Sequence, residues 1–299
     1  MVGADFKNIV NVAAQLCTQA DKELVDDDDL MKAAKRVSLG LAQLERMKDQ
    51  QPLDLKVQAY RCAAEIIVAK KVNDRRKFAS VTIVPRNNKV GITTFIPLTY
   101  EKNINKFDYD NKNICDLSAT IAEEKITAKL FQTENGEPNI SVNNSDQKYE
   151  AVREMIFNMV SRYGMSEGEA QIMFHVDYKN CSEYLRKIID NEVKRIYDLQ
   201  RAKAEKTIKE NWSDIEFLSE AILKFTSLSG KEVKELMKSK KFETVDKLRE
   251  EAREKLRKTA EERKANLLID MDRPTEVETV EAVETEDKND KTDDEKPKE

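Results

Sequence analysis

Histidine is the side chain best suited to acid–base or metal chemistry near neutral pH, and it occurs once, as His175 within Phe174-His175-Val176-Asp177. A single imidazole cannot build the multi-histidine sites that usually hold zinc. With no GxSxG turn and no cysteine beside it in sequence, it makes no hydrolytic triad either. His175 is expected to be a packed or solvent-facing residue.

The four cysteines, Cys17, Cys62, Cys115 and Cys181, lie far apart and form no CxxC pair. Cys17 and Cys62 fall beside or on apolar helical stripes, where a free thiol behaves as a small hydrophobe. No signal-peptide pattern precedes them. These features imply reduced thiols and a cytoplasmic, reducing setting.

Oxygen-rich clusters fare no better as metal sites. Asp108-Tyr109-Asp110 opens like a calcium loop, but the fifth and twelfth loop positions are Lys112 and Ala119, which lack the required oxygens. Asp26 to Asp29 sit where a helix begins and are explained by capping and by the helix dipole. The phosphate-cradling GxxxxGK[ST] and GxGxxG patterns are absent, and the chain has only seven glycines with which to approach a nucleotide. The expectation is therefore no catalytic residue, no metal ligand, no cofactor and no small-molecule substrate, hence not an enzyme.

One constellation could bind a polyanion. Lys70, Lys71, Arg75, Arg76 and Lys77 lead into Phe78, and Arg86 and Lys89 follow in a turn. Arg75, Arg76, Lys77, Arg86 and Lys89, with Phe95 or Tyr100 to stack a base, are the candidate nucleic-acid-binding residues. The plainer reading, which the spacing favours, is that these cations complement a helix C-terminus and keep an edge strand soluble. Residues 274–299 are strongly acidic, which leaves the rest of the 299-residue chain close to neutral within a net charge of −5. A mobile polyanion of that kind could compete for a basic groove.

The elements that must position these residues are mainly helices. Three helices are expected in the first 75 residues, striped by Phe6, Ile9, Ala13, Leu16 and Ala20, then Leu30, Ala34, Val37, Leu41 and Leu44, then Leu55, Ala59, Cys62, Ile66 and Ala69. Short connections favour a three-helix bundle or a helical hairpin plus one. From Phe78 the pattern turns β-branched and aromatic, predicting a hairpin of Ser80–Val84 and Lys89–Ile96 across Pro85-Arg86-Asn87-Asn88. A second strand pair is expected from the alternation of Leu117, Ala119 and Ile121 with Ile126, Ala128 and Leu130, although 116–131 can also be drawn as a helix.

Helix signals return after residue 148. Capping-box spacing occurs at Ser166/Glu169, Ser213/Glu216 and Ser229/Glu232, a long helix is expected from Ser182 to Asn211, and a charged one runs from Thr244 to about Lys264. No apolar run reaches the roughly 20 residues that span a bilayer.

The fold class that follows is α+β, predominantly α: an N-terminal helical bundle (1–77), a small antiparallel β region (78–146), a C-terminal helical region (147–266) and a disordered acidic tail (267–299). The leading functional expectation is a non-enzymatic assembly or chaperone-like adaptor. Its coiled-coil-like helical seams would bind a protein partner or a second copy, with no membrane involved. A single-stranded nucleic-acid accessory protein is the alternative.

Overall fold

The computed structural model describes residues 3–22, 25, 27–86, 90–96, 104–130, 146–167 and 178–271. Chain contacts divide it into two compact units, Met1–Glu254 and Lys255–Glu299. The predominantly helical fold class with a small antiparallel sheet holds. The acidic tail, from residue 272 onward, lies outside the described residues, and so do His175 and Tyr100.

Helices α1 (Gly3–Gln19) and α2 (Asp27–Leu39) form a hairpin. Ile9, Ala13 and Ala33 close a small core between them, with Val12, Leu16, Ala34 and Val37 packed around it. After the short α3 (Leu44–Asp49), α4 (Pro52–Lys71) starts with its proline in the first turn, where the missing N–H costs nothing. From Val57 to Ala69 almost every α4 side chain is buried, as expected for a helix surrounded on all sides. Among the described residues α4 packs chiefly against α5 and α8, and the expected second helix ends at Leu39, with Leu44 starting α3.

Strands β1 (Lys77–Thr82) and β2 (Ile92–Ile96) pair antiparallel, with Phe78 opposite Phe95 and Thr82 opposite Ile92. A third strand, β3 (Ser227–Ser229), joins the other edge of β1, giving the order β2-β1-β3. A three-residue strand carries too short a pattern to be read from sequence.

The second expected strand pair does not exist: Lys106–Leu130 is one helix, α5. Its alternation misleads because Ile114, Cys115, Leu117, Ala119, Ile121 and Ala122 are buried on several sides at once, so no single apolar stripe stands out. The buried hydroxyls of Ser118 and Thr120 donate to the carbonyls of Cys115 (2.7 Å) and Leu117 (2.8 Å), which lets them sit in the helix dry.

Helices α6 (Asp146–Ser161), α7 (Glu183–Glu210), α8 (Trp212–Phe225) and α9 (Gly230–Ser239) complete the main core. Ser182 caps α7 by accepting from the Leu185 N–H at 3.3 Å. Ser229 and Glu232 form a full capping box on α9. The other two box expectations fail or fall away: α8 begins one residue before Ser213, with Asn211 at its cap, and Glu169 lies outside the described residues.

The buried side of α7, including Ile189, Ile196, Ala204 and Ile208, is covered by α5 and α6 of its own chain. Helix α10 (Glu243–Met271) runs into the second unit, where Arg257 and Glu261 pair at 3.2 Å. Among the described residues, no helix is long and apolar enough to cross a membrane.

Candidate functional site

Charges inside a helix that is otherwise apolar mark the place to look, because burying an unpaired charge costs several kcal/mol. Helix α4 carries Gln58, Arg61, Cys62 and Glu65, related by steps of three and four residues and so close together on the helix. Glu65 is 9% exposed. Opposite it, α5 presents Asp116 and, two turns further along, the fully buried Glu123.

The cation that joins these carboxylates comes from a third helix. Lys148 of α6 places its Nζ 3.1 Å from Glu65 Oε2 and 3.7 Å from Asp116 Oδ1. Lys112 holds the other Asp116 oxygen at 3.3 Å. Arg61 approaches Glu123 at 3.8 Å. Burial pushes the Lys148 ammonium toward deprotonation, but Glu65 and Asp116 outweigh this and leave its pKa raised, so it stays charged.

Cys62 lies in the same junction. Burial, opposed by the Thr93 hydroxyl and reinforced by Glu65, pushes its thiol up to about 11. A thiol held so high is a poor nucleophile at neutral pH. Cys115 is also driven up by burial and then by Asp74, the carboxylate that its Sγ approaches at 3.6 Å.

Gly91 closes the site from the β side. Its φ is +65°, and a Cβ there would lie 2.7 Å from Gln58 Oε1 and 3.4 Å from Cys62 Sγ. Only glycine lets the chain enter β2 this close to α4.

A groove of about 780 Å³ lies beyond the C-terminal end of α4. Phe78, Phe95, Ile96, Val233 and Met237 give it an apolar lining, and Lys70, Lys77, Lys231, Lys234 and Lys238 give it cations. It runs beside β2, whose second edge carries no strand among the described residues.

The basic residues singled out from sequence are largely engaged inside the fold. Arg75 pairs with Asp108 at 3.1 Å. Arg76 donates to Asp74 through Nε at 2.9 Å and lies 4.7 Å from the Phe95 ring centre. Phe95 itself packs edge-on against Phe78. Arg86 donates to the Gly40 carbonyl at 2.7 Å, Lys77 is exposed at the groove, and Lys89 lies outside the described residues.

The residues that converge, Arg61, Glu65, Asp116 and Lys148, were not anticipated. The one available signal was Glu65 standing alone in the run Ala63-Ala64-Glu65-Ile66-Ile67-Val68-Ala69.

The model of peptidase family M41 matches residues 50–236, the stretch from the start of α4 to α9. Among curated proteins, the ATP-dependent zinc metalloprotease FtsH of Streptococcus pneumoniae is 27% identical over 250 residues, 81% of this chain and 36% of that protein. FtsH of Ruminiclostridium cellulolyticum is 28% identical over 249 residues, covering 79% and 38%. FtsH of Chlamydia trachomatis is 28% identical over 247 residues, covering 79% and 26%. The chain thus spans about a third of the length of these relatives.

The match overturns the expectation of a non-enzymatic adaptor, the statement that the chain is not an enzyme, and the nucleic-acid alternative.

The zinc in the relatives' names sets a test of this chain's own side chains. Metalloprotease helices of the H-E-x-x-H kind place two histidines four residues apart, with a glutamate as base. One histidine in the whole sequence cannot supply that pair. Arg61 and Glu65 stand four apart on the buried stretch of α4, and Arg61 is a cation that binds no metal. Among the described residues, no group of three or more His, Cys, Asp or Glu side chains is placed to hold a metal ion. The side chains that the structure describes do not fit a catalytic zinc.

Proposed function

This chain belongs to peptidase family M41, and from that membership we propose that it works on polypeptides as the peptidase-family part of an ATP-dependent proteolytic assembly. The observation that carries the reading is the coincidence of the matched stretch with the closed core of α4 to α9. The nucleotide step would be supplied from outside these residues, since the sequence contains no GxxxxGK[ST] loop. The same reading includes a protein partner, since a chain of a peptidase family meets other polypeptides as substrates.

The groove beside β2 suits an extended polypeptide. A strand laid along an open sheet edge gains main-chain hydrogen bonds, and alternate side chains fall into the groove. Phe78, Phe95 and Met237 would take apolar side chains, and the surrounding lysines would favour acidic ones.

Casein labelled densely with a self-quenching fluorophore reports both steps at once. Binding raises its anisotropy, and cleavage releases quenching. The purified chain is expected to raise the anisotropy saturably, with Phe95→Ala and Met237→Ala weakening it. Neither a rise in anisotropy nor a release of quenching, with or without ATP, would sink the proposal.

A further inference from the structure

We infer that the Lys148 ammonium is a built-in counter-cation at the centre of this domain, so that the junction of α4, α5 and α6 is completed without zinc. The inference rests on the family reading only for the choice of zinc as the ion to test.

Three helices contribute to the junction, and its charges balance within it. Glu65 and Asp116 come from different helices and meet at one Nζ, at 3.1 and 3.7 Å. Lys112 takes the remaining Asp116 oxygen at 3.3 Å, and Arg61 lies 3.8 Å from Glu123. Three carboxylates therefore face three cations. A divalent ion bound at the roughly 2.0–2.2 Å typical of zinc–carboxylate contacts would have to expel the ammonium from between its two partners. It would also add two charges where none is left to neutralise.

The tether matters as much as the charge. An ammonium on a side chain of α6 cannot dissociate, so it fixes α6 against α4 and α5 wherever free metal is scarce. A glutamate in an apolar run and a lysine from a distant helix are each costly alone and stable together.

Two measurements test this on the whole chain, purified without a metal-affinity step. Elemental analysis by mass spectrometry is expected to find far less than one zinc per chain, and neither EDTA nor added zinc should move the thermal midpoint. Lys148→Met should lower that midpoint by roughly 5–15 °C, as loss of one partner of a buried pair does. Lys148→Arg should retain most of the stability. Adding Glu65→Gln and Asp116→Asn to Lys148→Met should recover part of the loss, because the stranded carboxylates are then gone.

One tightly held zinc per chain, or a wild-type midpoint that falls in EDTA, overturns the inference. So does a Lys148→Met protein as stable as the wild type. None of these readouts involves a polypeptide substrate, so failure here and failure of the proteolytic reading are told apart.

Discussion

Gly91→Ala isolates the contact that seats β2 against α4. The residue has φ +65°, where an L side chain meets its own carbonyl at a cost of about 1–2 kcal/mol. The new methyl would also lie 2.7 Å from Gln58 Oε1 and 3.2 Å from Gln58 Cβ. The amide end can swing away, but Cβ belongs to a helix packed on all sides, so overpacking adds about 1–3 kcal/mol.

The two contributions together are about 2–5 kcal/mol, which at this size lowers the thermal midpoint by roughly 5–20 °C. Circular dichroism at 222 nm during heating measures it. Combining Gly91→Ala with Gln58→Ala removes the amide overlap but not the backbone strain. The pair should therefore couple by about 1 kcal/mol, and neither change should be silent. A Gly91→Ala midpoint within about 2 °C of the wild type, or strict additivity of the two changes, would refute the close approach.

Three further outcomes follow from the same structure. Burial alone would raise the Glu232 carboxyl, but Arg249 at 2.7 Å and the Ser229 N–H and hydroxyl hold it below its usual range. Its contribution is present above the ordinary glutamate pKa and is lost as pH falls through the lower folded value. The stability gap between wild type and Glu232→Gln should accordingly be full at neutral pH and close below about pH 4. Ser229→Ala removes the side-chain half of the capping box and should cost about 1 kcal/mol in urea unfolding. Ellman's reagent at pH 8 should react quickly only with the half-buried Cys181 in the native chain, and with Cys17, Cys62 and Cys115 only after unfolding.

Helices announced themselves in the sequence where one face was wet. The stripes of α1, α2 and α7 alternate with charges, and the Ser182 and Ser229 caps could be read from residue type and spacing alone. Helix α5 could not be fixed, because burial on several sides erases the period that separates a helix from a strand. Strand β3 has three residues and owes its existence to the free edge of β1, a partner supplied by the fold.

The candidate site was hidden for a related reason. Glu65, Asp116 and Lys148 are 51 and 32 residues apart along the chain and meet only when three helices close. The basic run Arg75-Arg76-Lys77 is more conspicuous in the sequence, yet Asp108 and Asp74 engage its two arginines. One histidine in the sequence argues against a multi-histidine zinc site. It does not place the chain outside an enzyme family, because the family match extends over residues 50–236 and does not depend on a histidine pair.

The most direct measurement is a crystal structure of the natively purified chain with diffraction recorded above and below the zinc absorption edge. The account predicts no anomalous peak between α4, α5 and α6, and electron density for the Lys148 side chain running between Glu65 and Asp116. An anomalous peak within about 2.3 Å of either carboxylate, with Lys148 turned away, would contradict it.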